Sequence, residues 1–148
     1  MLPNSDGELP LPLVNGSGSR EQLQALQSSL NANRGILPAD SHLAIEELAF
    51  GDLVAGKRVL EKFGPFDVVL GSDITYLGPA LPALMQTLRQ VASKDTLVLL
   101  GHDRRRDSLF DELLTELEGS GFVVGRQLED PSGVVVLECF MNLSKVDG

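Results

Sequence analysis

Two short apolar runs, Val68–Leu70 and Thr96–Leu100, each stop at a glycine and are separated by a stretch of helical periodicity. That stretch begins at Gly78-Pro79 and places Leu81, Leu84, Met85, Leu88 and Val91 on one face. Pro82 falls in its first turn, where a missing N–H is tolerated. A continuous apolar run suits a strand buried on both faces, and a helix between two such strands suits a parallel crossover. The pair therefore restricts the chain to an α/β sheet.

The flanking segments extend the same alternation. A helix is expected from Ser19, with Ser19 and Gln22 at capping-box spacing, Leu23, Leu26 and Leu30 on one face, and Asn33 and Gly35 as a stop. Leu43–Phe50 reads as a strand ending at Gly51-Asp52; residues 53–64 are ambiguous, though Val59, Leu60 and Phe63 would fit a short helix. After Gly101-His102-Asp103 another helix places Leu109, Phe110, Leu113, Leu114 and Leu117 inward, with Asp107 as its cap, and ends at Gly119-Ser120-Gly121. Phe122–Gln127 and Val134–Phe140 close the chain as strands, joined by a Pro-Ser-Gly turn that suits an antiparallel return. The expected sheet is mostly parallel, with an antiparallel strand at or near its edge. Residues 1–18 are rich in Pro, Gly, Ser and Asn and read as a flexible segment.

Composition narrows the function classes. The chain has 148 residues, enough for one domain with a real core. No apolar run reaches the ~20 residues of a membrane helix, and no basic region precedes an apolar stretch at the N-terminus, so neither a membrane span nor a signal peptide is expected. Cys139 is the only cysteine and lies in an apolar run, which points to a buried thiol, no disulfide framework and a reducing compartment, cytoplasmic or nuclear. A net charge of −9 argues against non-specific nucleic-acid binding and suits a basic partner, or solubility alone.

Chemistry concentrates at Phe66–Leu77. Here Gly71 and Ser72 end the strand, and Asp73 and Tyr76 stand at its carboxyl end, where open α/β sheets bind ligands. Gly71 and Ser72 are expected to let a ligand approach the backbone. A capped strand end, with the tyrosine packed on the next helix, remains the competing reading. His42 and His102 have no partner at metal-ligand spacing and read as loop or supporting residues, so no metal is expected. Gly16-Ser17-Gly18-Ser19 is a weak partial glycine pattern after a stretch interrupted by Pro10 and Pro12. Arg104-Arg105-Arg106 opens a helix, where the macrodipole disfavours cations; a solvated turn explains it as well as an acidic partner.

Four segments together resemble the class I, seven-β-strand, S-adenosylmethionine-dependent methyltransferases, and more narrowly methyltransferase family 16, which includes many protein-lysine methyltransferases. Leu26–Asn33 is similar to the helix after that family's second strand, and Leu48-Ala49-Phe50-Gly51-Asp52 to its leucine–x–tryptophan–glycine element. Phe66–Tyr76 is similar to its fourth strand and Asp-x-x-Tyr motif, and Thr96–Arg104 with Gly121–Val124 to the strands that follow. The resemblance implies a partial Rossmann-like sheet over residues 19–143, with the first strand and glycine-rich loop missing and a tail at 144–148. It further implies S-adenosylmethionine as cofactor and a protein lysine as acceptor, with no nucleic acid and no membrane. Asp73 and Tyr76 take the catalytic positions, Phe50 the aromatic adenine-lining position and Ser72 the small position beside the cofactor. Three outcomes stay open: a protein-lysine N-methyltransferase, an inactive methyltransferase-like domain that binds a partner, or a methyltransferase with a small-molecule acceptor, which the same fold permits. Missing a central strand, the sheet is expected to show unpaired edges and a tendency to associate.

Overall fold

The structure, a computed structural model, describes residues 10–15, 20–75, 78–104 and 107–142. They form two compact units, one up to Ala49 and one from Phe50 onward. In the first unit, strand β1 (Pro10–Asn15) pairs in parallel with β2 (His42–Glu47), and helix α1 (Arg20–Asn33) connects them. Leu30 of α1 is buried and Leu23 and Leu26 are half-buried, as the leucine spacing predicts. A 3₁₀ turn at Arg34–Ile36 follows Asn33.

β1 departs from the expected flexible segment. Pro10 and Pro12 have the same parity, so both missing N–H donors fall on one edge of the strand. The alternate residues keep their donors for the ladder with β2, and an edge strand tolerates prolines placed in this way.

The second unit carries α2 (Leu53–Phe63), β3 (Val68–Ser72), α3 (Leu81–Val91), β4 (Leu97–Asp103), α4 (Asp107–Gly119), β5 (Phe122–Glu129) and β6 (Val134–Met141). Its sheet runs β3-β4-β6-β5; β3 and β4 are parallel, and β6 lies antiparallel to both of its neighbours. β6 alone thus runs against the other three strands, one place in from the edge. The hairpin between β5 and β6 turns at Asp130–Gly133, where the Asp130 carboxylate accepts the amide and hydroxyl of Ser132 and Gly133 adopts φ 87. That is the antiparallel return expected of the Pro-Ser-Gly turn.

Leu81, Leu84, Met85 and Leu88 of α3 pack with Phe110, Leu113 and Leu117 of α4 against one face of the sheet. Val98, Leu100, Val135, Leu137 and Cys139 line that face, all fully buried. Both helices bury the stripe their sequence periodicity predicts. Burial pushes the Cys139 thiol up to about 11.

The opposite face corrects an expectation. Val68 is 48% and Leu70 is 75% exposed, so β3 is not buried on both faces. Only Val69 and Gly71 point toward the helices, and they stand beside the buried Val98 and Leu100. Val123, Val134 and Phe140 are also exposed on the outer face. Among the described strands β3 pairs only with β4, which makes it an edge.

No helix among the described residues is long and apolar enough to cross a membrane.

Candidate functional site

β3 delivers the site residues one after another. Its last residue, Ser72, is exposed and stands beside Gly101 of β4 in register. Two small residues side by side leave the outer surface open at the carboxyl ends of both strands.

Asp73 then turns the chain. It adopts φ 55, the only positive φ among the described non-glycine residues, and its side chain is exposed. The left-handed region costs an L-residue roughly 1 kcal/mol or more, less for Asp, whose short polar side chain tolerates it best. Strain of this kind persists only where the surroundings hold it in place, and it collects at functional sites.

Three contacts do the holding. First, Ile74 folds back toward the helices and fills the space beside Gly71; a Cβ on Gly71 would meet Ile74 Cδ1 at 2.5 Å and Leu100 Cδ2 at 2.9 Å. A side chain at Gly71 would have to displace Ile74 or Leu100, and the room expected for a ligand there belongs to Ile74. Open space at this strand end lies instead beside the Ser72–Gly101 pair on the other face.

Second, Thr75 is buried and its Oγ1 lies 2.7 Å from Nδ1 of the buried His102. The His102 ring packs against Phe110 at 5.5 Å between centroids, and Arg104 crosses the Phe110 ring at 4.9 Å while its guanidinium bonds Glu129 at 3.0 Å. Third, the Glu112 carboxylate of α4 lies against Gly78, close enough that a Cβ there would meet it at 2.9 Å.

Phe50 reaches the unit from a separate element, the segment before α2. It is half-buried against the helix–sheet core. Gly51 follows at φ 82 and donates its amide to Thr87 Oγ1 at 2.9 Å, and Asp52 caps α2 by accepting the amides of Val54 and Ala55. This short segment is thereby tied to α3 on one side and opens α2 on the other.

Tyr76, Arg105, Arg106 and the Gly16–Ser19 stretch lie outside the described residues, as does the side chain of Asp107. Sequence reading placed Ser72 and Asp73 at the strand end, as observed. It missed Thr75 and Thr87 as partners, and read His102 only as a loop or supporting residue. Thr87 is signalled only by being a polar residue within the apolar stripe of α3. His102 lies inside β4, two residues past the strand's expected end, and is buried. Among the described residues no cluster of His, Cys, Asp or Glu suits a metal ion.

The family described as lysine methyltransferase matches residues 17–117. The mouse (Mus musculus) protein N-lysine methyltransferase METTL21A is 36% identical over 115 residues, which cover 74% of this chain and 47% of that protein. Its zebrafish (Danio rerio) counterpart is 48% identical over 54 residues, or 36% of this chain and 24% of that protein. The chain thus spans less than half the length of these relatives. Among solved structures, the Methanococcus jannaschii fibrillarin pre-rRNA processing protein superposes with a TM-score of 0.61 at 12% identity, covering 88% of this chain and 55% of that one. An Anabaena variabilis SAM-dependent methyltransferase gives 0.52 at 14% identity, covering 90% and 77%. At these identities the structural likeness speaks to the fold.

Proposed function

The chain belongs to the lysine methyltransferase family, and from that premise we propose that it serves methyl transfer from S-adenosylmethionine to a lysine side chain of a protein. The observation that carries this reading is Asp73: an exposed carboxylate at the carboxyl end of β3, held at φ 55 beside the open Ser72–Gly101 pair. A lysine acceptor is supported by the relatives, which are named for acting on protein lysines.

The residues present fit the cofactor's adenosine side. Ser72 and Gly101 add little bulk at the strand ends, and Phe50 offers an aromatic wall for adenine. When bound, the cofactor supplies an electrophilic methyl group on its sulfonium. The protein's task is then to present the amine in line with that methyl.

Asp73 orients the incoming ammonium, and Tyr76 hydrogen-bonds the amine or packs along its stem. The amine attacks only when neutral, and a carboxylate raises the pKa of a neighbouring ammonium. Asp73 is therefore an orienting group; desolvation lowers the ammonium's pKa and the proton leaves to solvent along a water path. The net charge of −9 favours a basic protein segment as partner over nucleic acid or an anionic membrane surface. A single free, buried cysteine suits a reducing setting, cytoplasmic or nuclear.

A second reading, a methyltransferase-like domain that binds a partner without turnover, is favoured by the uncovered outer face of β3. Titration calorimetry with S-adenosylmethionine separates the two. Saturable heat supports transfer by this chain; no heat at about millimolar cofactor overturns it and leaves the binding domain. Transfer of labelled methyl to a lysine-containing protein, lost in Asp73→Ala, completes the test.

A further inference from the structure

We propose that His102 is a positioning residue: through the Thr75 hydroxyl it anchors the turn that presents Asp73. The proposal rests on the reading of Asp73 as the acceptor-side carboxylate and adds a part of the site that lies outside the Asp-x-x-Tyr pattern.

A φ of 55 at Asp73 is maintained only if the chain is fixed on both sides of it. On the N-terminal side the β3–β4 ladder fixes it through Ser72 and Gly101. On the C-terminal side the first polar anchor is Thr75, two residues on, whose hydroxyl meets His102 Nδ1 at 2.7 Å across 27 residues of sequence. Both partners are nearly inaccessible, Thr75 at 2% and His102 at 4%. Shielded from water, such a bond resists exchange with solvent and is costly to leave half-made.

His102 is itself fixed. It lies in β4 opposite Val135 of β6, and its ring packs against Phe110 of α4. The anchor thus passes the rigidity of the sheet and of α4 to the turn that carries the exposed Asp73. A buried threonine–histidine pair contributes less to stability than two apolar residues of similar size, since both polar groups are desolvated. What the pair supplies is a single defined position for the turn.

Amide hydrogen exchange and steady-state kinetics on the full chain test this together. Thr75→Val removes the hydroxyl while keeping the shape, and Thr75→Ser keeps the hydroxyl. In Thr75→Val, exchange across residues 71–80 should rise roughly tenfold while the α3 peptide 84–91 stays unchanged. Turnover should fall by about tenfold or more at an unaltered KM for S-adenosylmethionine, and Thr75→Ser should stay within about threefold of the parent in both readouts. His102→Asn, which retains a polar atom near the Nδ1 position, should protect the turn better than His102→Leu; this pair decides the matter if Thr75→Val fails to fold.

Unchanged exchange in Thr75→Val, or equal loss in Thr75→Ser and Thr75→Val, overturns the anchor. Equal turnover in Asp73→Ala and the parent chain overturns the reading of Asp73 instead. The exchange measurements judge the anchor either way.

Discussion

Gly71 and Ile74 share one space: the Ile74 side chain occupies the volume that a Cβ on Gly71 would enter, 2.5 Å from Ile74 Cδ1. The strand therefore carries a glycine one place before its end, so that the turn carrying Asp73 can close back over it. Gly71→Ala should destabilise the second unit by about 1–3 kcal/mol through overpacking. Urea unfolding checks the stability. Activity should fall more steeply than stability, because displaced Ile74 drags Asp73 with it. An active, fully stable Gly71→Ala chain would show that Ile74 is free to move elsewhere.

Asp73 separates fold from function. Asp73→Asn keeps a side chain that tolerates φ 55 and should leave the melting temperature nearly unchanged, whereas Asp73→Ala should cost about 1 kcal/mol. Both should lose turnover while binding of S-adenosylmethionine, measured by calorimetry, persists. Full turnover in Asp73→Asn would remove the carboxylate from the mechanism.

The two faces of the sheet should respond oppositely to truncation. Leu100 is fully buried and Leu70 is 75% exposed. Leu100→Ala should cost about 2–5 kcal/mol, the range for core cavities. Leu70→Ser should change stability by less than about 0.5 kcal/mol, as expected of a surface site. Leu70→Lys should also lower any self-association seen by sedimentation, since a charged edge strand resists pairing. A large destabilisation in Leu70→Ser would mean that a second body covers this face in solution.

Cys139 reports on opening of the core. Its thiol is buried and its pKa is raised by burial to about 11. A disulfide reagent at about pH 8 should label it only as fast as the chain unfolds, because the thiolate is the nucleophile. The folded pKa is raised, so this group's contribution to stability is complete below the unfolded value, 9.0, and is lost as pH climbs toward about 11. Cys139→Ser should flatten that part of the pH profile. Rapid labelling of native protein at about pH 8 would show that the β6 core is open to solvent.

Sequence alone determined the order of helices and strands in the second unit from β3 onward, the inward faces of α3 and α4, the hairpin between β5 and β6, and the placing of Ser72 and Asp73 at a strand end; the segment of α2 was ambiguous. Each of these is local. Side-chain period reports which face an element wants to bury, and a glycine or proline reports where it must stop.

The tertiary structure decided the rest. It showed β3 covered on one side only, because an apolar run states what a strand tolerates and not which neighbours are present to cover it. It showed β1 as a strand, because a proline's cost depends on which edge its missing donor faces. It gave Gly71 to Ile74, and it joined Thr75 to His102 across 27 residues. The Thr75–His102 pairing follows from the β3–β4 register, and no short window along the chain contains both partners. Gly71 and Ile74 are near neighbours, but only the fold of the turn shows that one fills the other's space.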